Sequence, residues 1–251
     1  MMDGTGPADP APVVMLNPHG RSPFLLLGDH AGIAIPARLG TLGLGPADLA
    51  RHIACDIGVR GLGTALADRL DAVFLHQRYS RLVVDCNRDP QAPDAVPDRA
   101  DGTDIPGNTG LGATERAARV AAVHAPYQDA IAAEIARRGD PPILVSLHSF
   151  TPVMAGEVRR WDVGILHDGG EARFARAMLA VLAARGDLVV GDNEPYRMDS
   201  TDHTVPRHAY AARLAYAEIE VRQDHLADAA GQARWAGIIA AALRAAQGRL
   251  A

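Results

Sequence analysis

Cysteine is scarce in this chain of 251 residues: there are two, Cys55 and Cys86. That is too few for a disulfide framework or a thiolate zinc cluster, and neither stands beside a histidine arrangement that would mark a nucleophile. Aromatic residues make up 4% of the sequence. Long apolar runs are also missing, since no stretch approaches the ~20 residues that a membrane span requires. The net charge is −5 with Lys and Arg scattered, so there is no basic stripe of the kind a nucleic acid demands. No basic segment precedes an apolar run at the amino end, and no secretory signal is read there. The simplest expectation is a cytoplasmic protein without membrane or nucleic-acid partners. A Gly-x-Ser-x-Gly elbow, a phosphate loop and a dinucleotide fingerprint are all absent, which disfavours serine-nucleophile and nucleotide chemistry.

What the chain does have is apolar residue content, 48%, enough to bury the core of one α/β domain of this length. The Pro- and Gly-rich segment 1–18 reads as a flexible lead-in, and 19–251 as a single domain. Short apolar runs at Phe24-Leu27, Val73-Leu75, Leu82-Asp85, Ile143-Leu147, Val163-Leu166, Leu188-Val190 and Leu214-Val221 are expected strands. Helical patterns occupy Pro46–Leu70, Thr114–Arg138, Glu171–Arg185 and Asp228–Arg249, with Pro46 suited to a first turn and Gly139 and Gly186 to helix ends. Near-continuous apolar strands separated by helices predict a mostly parallel sheet covered on both faces. The stretch Asp89–Gly112 is too rich in Pro, Asp and Gly for an ordinary connection; it is either a lid or binding loop or a plain surface insertion.

In open α/β sheets ligands bind beyond the carboxyl ends of the strands, so the residues that follow each strand matter most. Here they include Asp29-His30-Ala31-Gly32, Asp85-Cys86-Asn87-Arg88, His148-Ser149-Phe150 and Asp192-Asn193-Glu194. The last strand carries Glu218, Glu220 and Arg222 at alternating positions, hence on one face. His30 and His148 are the best metal candidates, because each follows an apolar strand directly and has small neighbours. On a helix from Pro46, Leu49, Ile53 and Asp56 would share one face, and a core-facing carboxylate needs a positive partner. A metal would serve, and so would Arg81 or Arg88; His52 is a competing ligand. Two histidines, one carboxylate and an open position form a common catalytic zinc arrangement. Asn87 and Arg88 have the donors to grip a substrate carboxylate. Glu220 is the candidate general base, with Glu218 as the alternative.

Taken in order, these pieces resemble the N-formylglutamate amidohydrolase family over about Leu25 to Gln247. They are Asp29-His30-Ala31-Gly32 with Ile35-Pro36; Arg51-His52-Ile53-Ala54-Cys55-Asp56-Ile57-Gly58; Tyr79-Ser80-Arg81 through Asn87-Arg88; Ile105-Pro106-Gly107-Asn108; Leu147-His148-Ser149-Phe150-Thr151-Pro152; Gly191-Asp192-Asn193-Glu194-Pro195-Tyr196; and Glu218-Ile219-Glu220-Val221-Arg222-Gln223-Asp224. The resemblance implies a three-layer α/β sandwich with a mixed, mostly parallel sheet, distantly similar to zinc carboxypeptidases and aspartoacylase-like deacylases. It also implies one zinc ion and hydrolysis of an N-formyl or other small N-acyl amino acid. It places zinc on His30 and His148, a carboxylate clamp on Asn87-Arg88, and the base on Glu220; Arg81 or Arg222 is a separate expectation for gripping a second carboxylate. Those peptidases carry a ligand glutamate three residues after the first histidine, where this chain has Ile33; Asp56 is the expected replacement, with His52, Asp29 or water as alternatives.

Overall fold

The computed structural model describes residues 9–250. A seven-stranded sheet runs through it in the order β1-β3-β2-β6-β11-β9-β10, built from β1 (Val13–Leu16), β2 (Phe24–Gly28), β3 (Val73–Gln77), β6 (Ile143–Phe150), β9 (Val163–Leu166), β10 (Val190–Asp192) and β11 (Tyr216–Arg222). The two-residue strands β4 (Arg99–Ala100) and β5 (Thr103–Asp104) form one small hairpin, and β7 (Val153–Met154) and β8 (Glu157–Val158) another. Strands β2, β3, β6 and β11 are mutually parallel, β9 is antiparallel to β11, and edge strand β1 is antiparallel to β3. The sheet is therefore mixed and mostly parallel, as the resemblance implies.

Helices are α1 (Pro46–Leu49), α2 (Val59–Leu70), α3 (Ala113–Arg119), α4 (Ala125–Arg137), α5 (Arg173–Ala183) and α6 (Ala229–Gly248). α2 buries Val59, Leu62, Leu66 and Leu70, and α6 buries Trp235, Ile239, Leu243 and Ala246, the three-and-four spacing of a core-facing stripe. With Phe174, Met178 and Leu182 of α5 they pack on the sheet face that carries Phe74, Leu147 and Ile219. The other face carries Leu27, Leu75, Leu144 and Tyr216 and is covered by Tyr127 and Ile131 of α4 and by loops bearing Leu42, Val83 and Ile105. This makes three layers. Among the described residues, no helix is long and apolar enough to cross a membrane.

Three sequence expectations are corrected. Val13–Leu16 of the expected lead-in is an edge strand, in register with Phe74–Gln77; residues 1–8 lie outside those described. Leu82–Asp85 is a buried turn rather than a strand. Its polar backbone is satisfied from elsewhere: Asn108 Nδ2 donates to Leu82 O at 2.8 Å, Arg119 to Val83 O at 3.2 Å, and Asp85 N to Ala95 O at 2.7 Å. The helix expected over Pro46–Leu70 is interrupted, leaving 50–58 as a loop between α1 and α2. Gly58 restarts it at φ +82°, and a Cβ there would fall 2.4 Å from Leu226 Cβ, so glycine meets both the backbone and the packing demand.

Candidate active site

Alternation along β6 and β11 sends Ser146, His148, Glu218 and Glu220 to the α4 side of the sheet, and the register sets Glu218 beside Ser146 and Glu220 beside His148. His30 lies just past the carboxyl end of β2. Asp56 comes from the 50–58 loop, not from a helix face as the periodicity implied. The loop is pinned where it matters: Asp56 N donates to His30 O at 2.9 Å, Ser80 Oγ to Ala54 O at 2.6 Å, and Ser149 Oγ to Ile57 O at 2.9 Å.

His30, Asp56 and His148 come together, with one ligating atom from each within 4.8 Å of the others, and all three residues are buried. His148 Nδ1 lies 2.9 Å and His30 Nδ1 3.6 Å from Asp56 Oδ2. The far side of each ring is taken. His30 Nε2 donates to Asp85 Oδ1 at 2.7 Å, while His148 Nε2 faces Ser146 Oγ at 3.0 Å and Asp29 Oδ2 at 3.6 Å. Carboxylates behind the imidazoles fix the tautomer that turns both Nδ1 atoms inward, the outer-shell pattern of metal-ligating histidines. Asp29 and Asp85 stand behind the two imidazoles, positions that their place within the sequence motifs did not reveal.

Charge at the centre points the same way. Burial works against ionising Asp56, yet His30 and His148 hold its carboxyl well below the usual range. Burial also works against charging His148, but Asp29 and Asp56 raise it well above an ordinary histidine. Burial, helped by neighbouring carboxylates and opposed by His148, pushes Glu218 well upward and Glu220 to about 8. One oxygen of each glutamate, and His30 Nδ1, are buried without a hydrogen-bond partner. Buried unpaired acceptors of this kind are costly. A cation at the meeting point of the three inward atoms would relieve them, so the donor set fits a divalent metal of the zinc type.

The centre opens into a cleft of ≈ 560 Å³. The two glutamates differ in surroundings: charges on Asp56, His30 and Arg81 bear on Glu220, whereas Glu218 feels Asp202 and Asp29. Glu220 is therefore the one facing the His30–Asp56 pair. Arg81, Asn87 and Arg88 line the cleft as expected, but each is already engaged. Arg81 is bound to Asp85 at 2.6 Å and Asp56 at 3.4 Å. Asn87 receives the amides of His203 and Thr204 on Oδ1 and donates to Asp202, while Arg88 pairs with Asp94 and donates to Thr201 O. Arg222, expected as a second clamp, pairs instead with Asp224 and Asp162 and is not among the residues lining the cleft. Its strand neighbour Asp162 and the turn after β11 capture it. Sequence reasoning missed Arg197, which lines the cleft and has neither a hydrogen bond nor an ion pair among the described residues. The motif ending at Tyr196 was its only signal.

The chain matches the family model for N-formylglutamate amidohydrolase over residues 22–227. It is similar to the crystal structure of gene product Atu2144 from Agrobacterium tumefaciens, with 38% identity, 98% of each chain covered and a TM-score of 0.94. It is also similar in fold to N-formylglutamate amidohydrolase from Ralstonia eutropha JMP134, with 20% identity, 95% of this chain and 98% of that one covered, and a TM-score of 0.66. A search of curated proteins returned no match.

Proposed function

Because this chain belongs to the N-formylglutamate amidohydrolase family, we propose that it hydrolyses the amide of an N-formyl or other small N-acyl amino acid, N-formyl-L-glutamate first among them, with one zinc ion on His30, Asp56 and His148. The observation that carries the reading is the buried meeting of those three residues beside Glu220 at the floor of a substrate-sized cleft. His30, Asp56 and His148 would hold the zinc ion, which would supply Lewis-acid polarisation of the amide carbonyl and a lowered pKa of water. The chain's own residues do the rest. Asp85 and Asp29 hold the two imidazoles in register. Glu220 Oε2, unpartnered and buried, takes the proton of the attacking water and passes it to the leaving nitrogen. The substrate carboxylate is met by Arg197, whose guanidinium is unpaired among the described residues, with Arg88 and Arg81 also lining the cleft and Asn87 holding the 203–204 backbone beside them.

A second reading has one observation behind it. The cleft lies in the range of about 300–1,000 Å³ typical of drug-sized ligands, more room than a formylated amino acid fills, which favours a larger acyl group or a short peptide on the same machinery. The test is a panel of N-formyl, N-acetyl and longer N-acyl amino acids, assayed with zinc and after chelation. Turnover that disappears with the metal and is fastest for formyl substrates supports the first reading; fastest turnover of long acyl groups supports the second. No turnover of any member by zinc-loaded protein overturns both.

A further inference from the structure

On the opposite face of the sheet from the cleft lies a groove of ≈ 530 Å³, between edge strand β1 and the amino ends of α2 and α6. Its lining includes Arg60 and Gly61 from the first turn of α2, Ala229 and Gln232 from the first turn of α6, and His76 and Arg78 from β3 and the turn after it. Helix amino ends carry the positive end of the peptide dipoles; that of α2 has no side-chain cap, whereas the Asp228 carboxylate caps that of α6.

The side chains add to this charge. Arg60 makes no ion pair or side-chain hydrogen bond among the described residues, and the guanidinium of Arg78 makes one hydrogen bond, to Ala11 O. Burial is the first cause lowering the charge affinity of His76, and the nearby guanidinium groups of Arg60 and Arg78 add to it against the opposing Gln77 carbonyl. Both cations therefore stand within electrostatic reach of that ring. His76 is 5% exposed. Its Nδ1 donates to Gln77 O at 2.9 Å, which leaves Nε2 as a lone-pair acceptor with no hydrogen-bond partner among the described residues, on a residue that lines the groove. Asp68, the one acidic lining residue among those described, lies about two turns along α2 from Arg60.

Two guanidinium groups without an ion pair and one unpartnered acceptor line the same groove, and together they suit an anion that also has a hydroxyl to give. We propose that this groove binds the hydrogen phosphate ion, with Arg60 and Arg78 donating to its charged oxygens and His76 Nε2 accepting its P–OH. Sulfate has the charge and the shape but no hydroxyl at neutral pH, so it separates this arrangement from a merely basic surface. The inference does not depend on the proposed hydrolysis.

The experiment is thermal unfolding of the whole protein in rising inorganic phosphate or sulfate at constant ionic strength, because a ligand of the folded state raises the midpoint with a saturable dependence. Phosphate should give such a rise, and sulfate should need at least fivefold higher concentration for the same shift. Arg60→Gln changes an exposed side chain that makes no ion pair or side-chain hydrogen bond among the described residues, and should raise the phosphate requirement roughly tenfold. His148→Ala, which alters the cleft on the other face, should leave the phosphate response intact. A linear or absent phosphate effect, an equal response to sulfate, an unchanged response in Arg60→Gln, or loss of the response in His148→Ala would each overturn the proposal.

Discussion

Two glutamates two residues apart on one strand are indistinguishable by periodicity, since both point to the same face. What separates them is three-dimensional: the register sets Glu220 beside His148 and the 50–58 loop brings Asp56 to it, while Glu218 sits beside Ser146. Glu220→Gln keeps the shape and removes the base, so bound zinc should remain stoichiometric while kcat falls by roughly 10²–10⁴. Glu218→Gln should cost far less; equal losses in the two variants would mean that Glu220 is not the sole proton carrier. The arginines teach a related lesson. Arg88 and Arg222 look like clamps in the sequence because guanidinium after a strand suits carboxylate, but ion pairing with Asp94, or with Asp224 and Asp162, depends on neighbours that no local pattern reveals. Arg197→Ala should therefore raise KM for a carboxylate-bearing substrate roughly tenfold, in line with the loss of one charge-assisted contact worth about 1.5–3 kcal/mol. An amidated substrate should lose the difference between wild type and variant, and kinetics with both forms check this.

At the scale of elements, β2, β3, β6, β9 and β11 and the cores of α2, α4, α5 and α6 were legible, because a buried strand or an amphipathic helix repeats its apolar signal over many residues. The strand expected at Leu82–Asp85 failed for the complementary reason. A four-residue apolar run says only that a segment is buried, and here side chains of Asn108 and Arg119 supply the hydrogen bonds a ladder would have given. The break at 50–58 was hidden because Leu49, Ile53 and Asp56 fit a helical face by accident, while the decisive residue is Gly58. Asp56 was singled out as a buried carboxylate in need of a positive partner, and it is buried beside His30 and His148, but from a loop rather than the expected helix face. Gly58→Ala should cost about 2 kcal/mol or more, since it combines a left-handed backbone with a clash against Leu226. It should weaken zinc binding as well, because the same residue sets the course of the Asp56 loop; denaturant midpoints and metal titration read the two effects separately. Full stability in that variant would show that the α2 start relaxes freely.

For the molecule as a whole, several histidines away from the metal centre are folded in as neutral groups. Burial lowers His208 to about 4, and it also lowers His76, His124 and His203. Their unfolded counterparts titrate near ~6.5. Between its lowered folded value and ~6.5 each such group binds more protons in the unfolded chain, so these groups favour the folded state above that window and withdraw the support as pH falls through it; for His208 the window runs from about 6.5 down to about 4. For His208, which lies 2.7 Å from Gln128 Oε1, the share is on the order of 3 kcal/mol. His208→Gln should flatten the fall in stability from pH 6.5 to 4, as followed by chemical denaturation at several pH values; an unchanged slope would exclude His208 as a contributor.

The order of the sheet has a consequence in time. β11 is the last strand in the chain, yet it lies between β6 and β9 and carries both glutamates of the cleft. A ribosome that has delivered residues up to 215 has released β6 and β9 with facing edges and nothing between them, and open strand edges recruit whatever extended chain is near. The sheet closes only when residues 216–222 thread into its middle, so the nascent chain depends on late, long-range pairing, which is slow. The step that makes the chain a single sheet is the same step that brings Glu220 alongside His148, and an unfinished chain therefore carries no working copy of the site.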